Sequence, residues 1–161
     1  MMALLKTNAQ RSLEQQRIAY IPHTYDVTDG MLDAVSVAAK ISMPPERVFK
    51  TLVTRGSSGS VTVFAVPGDR ELDLKAAARA VGEKSIEMVP VADITPLTGY
   101  VKGGCSPVGM KKRYTTVVDQ SAKGFDTIVI SAGKIGLQIE LASLDLAKVT
   151  GCTFAWISKL V

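Results

Sequence analysis

Two runs of strand-forming residues, Val48 to Thr54 and Ser60 to Val66, flank the turn Gly56-Ser57-Ser58-Gly59. Two such runs joined by small turn residues predict a β-hairpin, and this hairpin constrains the fold more than any other feature. Six further runs read as strands: Tyr20 to Tyr25, Ser85 to Val89, Tyr114 to Val118, Thr127 to Ser131, Leu137 to Leu141 and Phe154 to Ile157. Pro22 marks the first as an edge or a bend, and Ala132-Gly133-Lys134 reads as a turn before Leu137. Thr7 and Gln10 form a capping box that opens a helix to about Ala19, with Leu5, Ala9 and Leu13 on its apolar face. Met31 to Ile41 reads as a helix ended before Pro44-Pro45. Asp73 caps a helix over Leu74 to Val81 that Gly82 ends, and Ser143 to Val149 reads as the last helix. Asp93 to Gly99, with Pro96, reads as turn. Strands outnumber helices and follow one another in hairpin order. The expected class is therefore α+β: a mixed, largely antiparallel sheet forming a partial barrel with flanking helices.

A chain of 161 residues, 47% of them hydrophobic, is expected to form one domain over residues 1–161 with a sizeable core. No apolar run approaches the ~20 residues of a membrane span. Met1 to Leu5 is too short for a secretory signal, so the expected location is the cytoplasm. Cys105 and Cys152 make no disulfide framework, and with His23 as the one histidine there is no metal-ligand spacing. Neither a metal nor a cofactor is expected. The net charge is +4, and Lys102, Lys111, Lys112 and Arg113 supply the same excess within one acid-free stretch. That stretch is either a solvated turn or a phosphate-contacting edge.

Gly103-Gly104-Cys105-Ser106-Pro107-Val108-Gly109 is the most specific stretch, with three glycines and a proline in seven residues. Such a loop lets a ligand approach the main chain and leaves N–H groups to face an anion. It is not a nucleotide P-loop, because Met110 stands where the lysine belongs. Ser106 lacks a nucleophile elbow, since Pro107 follows it directly. Cys105 reads better as a small apolar loop residue than as a nucleophile, because a thiolate requires a base or cation beside it. Strand alternation places Lys50 on the same face as Val48 and Leu52, either at an edge or in a functional pocket.

These residues, with His23-Thr24-Tyr25-Asp26, Thr98-Gly99-Tyr100, Lys111-Lys112, Ser131-Ala132-Gly133-Lys134, Gly136-Leu137-x-Ile139-Glu140 and Asp145-Leu146, resemble the YbaK/EbsC family of aminoacyl-tRNA deacylases. That family is related to the editing domain inserted in bacterial prolyl-tRNA synthetases, and the resemblance runs along nearly the whole chain. It implies hydrolysis of the ester that joins a wrong amino acid, most often cysteine, to the 3′ end of tRNA(Pro). It implies Lys50 as the essential lysine, and Gly103 and Gly104 as loop donors at the reacting carbonyl. Tyr25, Thr51, Ser106, Pro107, Ser131 and Gln138 are implied at the substrate. Lys111, Lys112 and Arg113 are implied at tRNA phosphates, and prolyl-tRNA synthetase is implied as a partner. In the family's mechanism the substrate's own thiol attacks its carbonyl.

Two positions depart from the pattern. Gly30-Met31-Leu32-Asp33 lacks the aromatic-Gly-Asp-Glu run of relatives, and Ile135 stands where many relatives carry a basic residue. Both bear on amino-acid specificity rather than reaction type. The competing expectations are removal of another small amino acid, such as alanine, by activated water, and a tRNA- or synthetase-binding module without turnover.

Overall fold

The computed structural model describes residues 5–161. Met1 to Leu4, most of the stretch read for a leader, lie outside the described residues. In chain order the elements are α1 (Asn8–Gln15), β1 (Ile21–Thr24), α2 (Ala34–Lys40), β2 (Phe49–Gly56), β3 (Val61–Pro67), β4 (Arg70–Leu72), α3 (Leu74–Val81) and β5 (Ile86–Met88). There follow α4 (Val91–Thr98), β6 (Thr115–Asp119), β7 (Ile128–Lys134), β8 (Leu137–Leu141), α5 (Ser143–Thr150), β9 (Thr153–Ala155) and β10 (Ser158–Leu160). The α+β class and the largely antiparallel sheet are as the sequence implies. The β2–β3 hairpin forms around the Gly56–Gly59 turn, with Lys50 opposite Val66 and Leu52 opposite Phe64.

The strands form a five-stranded sheet in the order β5-β2-β3-β6-β9, a three-stranded sheet β1-β8-β7, and a ribbon of β10 with β4. The β3–β6 and β6–β9 pairs are parallel. A single parallel bridge, Val48 to Val129, joins the two larger sheets, which do not close as a barrel. Between them lies the main core. Phe49, Ala65 and Val118 face Ile128, Ile130, Leu137, Ile139 and Leu141, and Leu13 of α1 and Leu146 of α5 complete it. A second cluster, with Phe64, Val66, Ala77 and Ile86, buries the other face of the large sheet under α3. β3 is thus covered on both faces, which is why its sequence is almost wholly apolar.

Several local readings are corrected. Leu5 is 83% exposed and precedes α1, so it takes no part in that helix's apolar face. α1 ends at Gln15, four residues short of Ala19, and Arg17 adopts a left-handed backbone beyond it. Asp33 caps α2, which therefore starts at Ala34 rather than Met31. Asp93 to Gly99 is not turn but most of α4, with Pro96 inside the helix and Gly99 as its left-handed cap. The expected turn at Ala132 to Lys134 belongs to β7, which carries an irregularity between Ser131 and Lys134, and the chain turns at Ile135-Gly136. The last strand expected at Phe154 to Ile157 is β9 at Thr153–Ala155, and β4 and β10 were not foreseen.

Asp119 ties the C-terminal strands to the sheet. It is 1% exposed, and its Oδ1 accepts the N–H groups of Ile157 and Ser158, each at 3.0 Å. Its Oδ2 accepts the Ser121 hydroxyl at 2.6 Å. Removing this acceptor leaves buried N–H groups unsatisfied, at ~1–3 kcal/mol for each. Asp119→Ala should therefore lower the free energy of urea unfolding by on the order of 3 kcal/mol. Asp119→Asn, which keeps an oxygen for Ile157 and Ser158, should cost clearly less.

Candidate active site

β5 pairs with β2 only at Thr54, Arg55 and Gly56, so the first half of β2 has no strand neighbour on that side beyond the Val48–Val129 bridge. The Val89 N–H reaches the Val53 carbonyl at 3.1 Å, which marks the side to which Val53 presents its main chain. Thr51, two residues back, presents its N–H and C=O on that same open edge. A cavity of about 510 Å³ occupies the gap. Phe49 to Val53 form its back, and Leu32, Val37, Met88, Val91 and Ile94 form apolar walls. Gly103 and Cys105 of the glycine loop and Ser131 with Gln138 also line it. Ser131 and Gln138 are register partners on β7 and β8. They lie on the sheet face that points away from the main core, because Ile130 and Ile139 beside them point into it.

Lys50 is half-buried, lines this cavity, and makes no ion pair or hydrogen bond among the described residues. Burial pushes its ammonium below the ordinary lysine range, and the acids Glu71 and Asp69 work against that shift. Two neutral groups are also without partners. The Thr51 hydroxyl is buried and unbonded among the described residues. The Gln138 amide makes no side-chain hydrogen bond among the described residues, and the residue is 6% exposed. Asp33, the carboxylate on the rim, is occupied in capping α2, where it accepts the Ser36 N–H and hydroxyl. The site therefore offers the half-buried Lys50 and the exposed Lys102 as cations, neutral polar groups and apolar walls.

The glycine loop is a packing device as well as a wall. Gly103 has φ +86°, and the Ile135 side chain lies in ordinary contact with its Cα region. A Cβ on Gly104 would stand 2.9 Å from the Ile135 nitrogen, so only glycine lets the loop press against the β7–β8 turn. The Tyr100 hydroxyl donates to the Val108 carbonyl at 2.7 Å and braces the loop from within. Gly103 and Cys105 keep N–H groups that meet no acceptor among the described residues.

Of the residues expected at the substrate, Lys50, Thr51, Gly103, Ser131 and Gln138 meet around one cavity. Four others do not line it. The Gly104 N–H is spent on the Val101 carbonyl at 3.0 Å, so it is not a free donor. Ser106 is fully buried, and its hydroxyl accepts the Val108 N–H at 3.2 Å, which shapes the loop. Pro107 borders a separate small cleft of about 90 Å³ with Lys112 and Arg113. The Tyr25 hydroxyl is buried without a partner among the described residues, and Lys40 lies 6.0 Å from the ring centre. In the basic run, the Lys111 ammonium donates to the Pro96 carbonyl at 3.3 Å. Sequence reasoning missed the apolar walls from α2 and α4, which carry no motif.

No protein nucleophile is prepared here. Burial pushes the Cys105 thiol up to about 11, against the opposing effect of a hydrogen bond with Thr98. His23 pairs with Glu140 at 2.8 Å and is not brought to Cys105. Among the described residues no group of three or more His, Cys, Asp or Glu could hold a metal, and no helix is long and apolar enough to cross a membrane. In the native protein at pH 8, Cys105 should be alkylated by iodoacetamide far more slowly than in the urea-unfolded chain. Peptide mapping should show the native rate rising as pH approaches 11, because the thiolate is the reacting form.

The aminoacyl-tRNA editing domain model matches residues 28–149. An Enterococcus faecalis protein named "Putative Cys-tRNA(Pro)/Cys-tRNA(Cys) deacylase EbsC" is 42% identical over 153 residues, covering 95% of this chain and 93% of that protein. A proline–tRNA ligase of Thermosipho africanus is 30% identical over 122 residues, which are 76% of this chain and 20% of the ligase. The chain thus corresponds to a small part of such a ligase. A solved structure described as "a putative trans-editing enzyme for prolyl tRNA synthetase" shares the fold, with TM-score 0.82 at 23% identity over 97% of this chain and 99% of that one. The matched span takes in β2, the glycine loop and the β7–β8 pair that together enclose the cavity, and on this ground the chain belongs to the aminoacyl-tRNA editing-domain family.

Proposed function

We propose that this aminoacyl-tRNA deacylase acts as one editing domain that clears cysteine from tRNA(Pro), with the substrate's own thiol as nucleophile. The observation that carries this reading is the pairing of a cavity-lining lysine with the lack of any activated protein nucleophile beside it. Cys105 is held protonated by burial, and the Ser106 hydroxyl is engaged in its own loop. The 42% identity to the E. faecalis protein, whose name specifies cysteine, supports the choice of amino acid.

In this mechanism the cysteinyl sulfur attacks the ester carbonyl carbon. A C–S bond forms, the C–O bond to the terminal ribose breaks, and the thiol proton passes to the departing ribose oxygen. The product is cysteine thiolactone, which water then opens to free cysteine. The protein contributes orientation, worth up to roughly 7–11 kcal/mol in favourable intramolecular models, and electrostatics. Lys50 holds the terminal ribose or phosphate and stabilises the negative charge that develops. The free N–H of Gly103 is the loop's donor to the carbonyl oxygen, in place of the engaged N–H of Gly104. Gln138, Thr51 and Ser131 supply hydrogen bonds to an uncharged small substrate. A synthetase partner would add selectivity for the tRNA.

Lys50→Ala should keep its fold, judged by an unchanged thermal transition, and lose deacylation by on the order of 100-fold or more. The charged form of Lys50 is the active one in this reading, and its pKa is lowered by burial. Activity corrected for spontaneous ester loss should therefore fall on the alkaline side at a pH below 10.5, the ordinary lysine value. An unaltered rate in folded Lys50→Ala would refute the assignment.

Ser-tRNA(Pro) is nearly isosteric with Cys-tRNA(Pro), but a hydroxyl is a much weaker nucleophile than a thiol that reaches its thiolate near neutral pH. Serine should bind and be cleaved far more slowly. Rapid quench with mass detection should find thiolactone before free cysteine. Equal rates for the two amino acids, or free cysteine as first product, would point to attack by bound water and to a specificity such as alanine.

A further inference from the structure

A second cleft, of about 410 Å³, lies between α3 and β5. Lys75, Arg79 and Lys84 stand on its rim, over Leu74, Ala78 and Ile86. Lys75 and Arg79 are four apart on α3 and so share a face. All three cations are exposed, and none forms an ion pair or hydrogen bond among the described residues. The one acid on the rim, Glu83, is occupied: its carboxylate accepts the Ser58 hydroxyl at 2.7 Å and the Ser58 N–H at 3.3 Å. Glu87 sits on the opposite face of β5 from Ile86, in register with Arg55.

This cleft neighbours the active cavity. Ile86 borders the cleft and Met88, on the same short strand, borders the cavity, so the two lie within about 7 Å along the backbone. The basic run at Lys111 to Arg113 is less free. Lys111 donates to Pro96, and the Arg113 guanidinium is packed on Gly151, where a Cβ would stand 2.9 Å from it.

We propose that the α3–β5 cleft is a phosphate-binding surface that carries the sugar-phosphate backbone of the tRNA acceptor end while its terminal ester occupies the cavity. The proposal rests on the deacylase reading above. Exposed, unpaired Lys and Arg contact phosphates through release of counterions, and such contacts set the position of a nucleic acid without reading its sequence. Here they would place the ester at Lys50.

The test is the triple variant Lys75→Ala, Arg79→Ala, Lys84→Ala, beside the charge-keeping triple Lys75→Arg, Arg79→Lys, Lys84→Arg. Binding of uncharged tRNA(Pro) is followed across salt concentrations. Turnover is measured on Cys-tRNA(Pro) and on the cysteinyl ester of adenosine. In the alanine triple the log–log salt slope should become shallower by about 2, at roughly 0.7–0.9 per lost contact, and KM for Cys-tRNA should rise about tenfold. Its kcat and its turnover of the adenosine ester should match the parent, and the charge-keeping triple should retain the parent slope. An unchanged slope and KM, or an equal loss on the adenosine ester, overturns the proposal. So does a variant that keeps its tRNA slope but no longer binds prolyl-tRNA synthetase, which would assign the cleft to an acidic protein surface. A parent that binds tRNA through these residues yet cleaves neither ester would refute the deacylase reading and uphold the surface.

Discussion

The open edge of β2 is the constraint on which the rest of the molecule depends. β5 covers β2 at Thr54 to Gly56 only, and the three-stranded sheet reaches β2 only through the Val48–Val129 bridge. Were β5 longer, it would pair with Thr51 and fill the space that is now a cavity. Were the bridge absent, Ser131 and Gln138 would not come opposite the strand that carries Lys50. An uncovered strand edge ordinarily invites pairing with another chain. Here α2, α4 and the glycine loop shield it, and the shielded gap becomes the site.

The electrostatics of that gap follow from its walls. Burial removes water from around Lys50, which raises the energy of its charged form and lowers its pKa. The same environment strengthens any interaction between that ammonium and charge developing on a substrate. It also holds the Cys105 thiol protonated, so one physical cause sharpens the lysine and silences the cysteine. The unbonded Thr51 hydroxyl and the Gln138 amide complete a site that is polar at a few points and apolar elsewhere, as small-molecule sites generally are.

Glycine in the 103–109 loop serves contact as much as exposure. Gly104 lets the loop touch the β7–β8 turn, and Gly109, at φ +74°, lets it touch α1, where a Cβ would meet the Asn8 carbonyl at 2.8 Å. The loop is therefore clamped between two elements, and Gly103 is held still at the cavity mouth. Ile135 packs on Gly103 with an apolar side chain. Lys50 and Lys102 are the lysines among the residues that line the cavity.

Local chemistry was legible wherever a short stretch of chain decides its own conformation. The capping box at Thr7 and Gln10, the Asp73 cap with its Gly82 stop, and the β2–β3 hairpin all stand as the residues imply, because each closes its hydrogen bonds within a few positions. Lys50, Thr51, Gly103, Ser131 and Gln138 were named together through the family resemblance that the motifs carry, and they line one cavity. Other features were decided at long range. Asp93 to Gly99 is helical despite Pro96, because Ile94 and Leu97 pack in the cluster around Tyr100. Gly104 lost its free N–H to Val101, and Ser106 its hydroxyl to the loop's own backbone. The sequence by itself determined which residues cap, turn and pair locally, and which side chains bring charge. Tertiary structure alone decided which of those groups face a common cavity and which are already satisfied, since hydrogen-bond partners and burial are set by segments as far apart in the chain as those of His23 and Glu140.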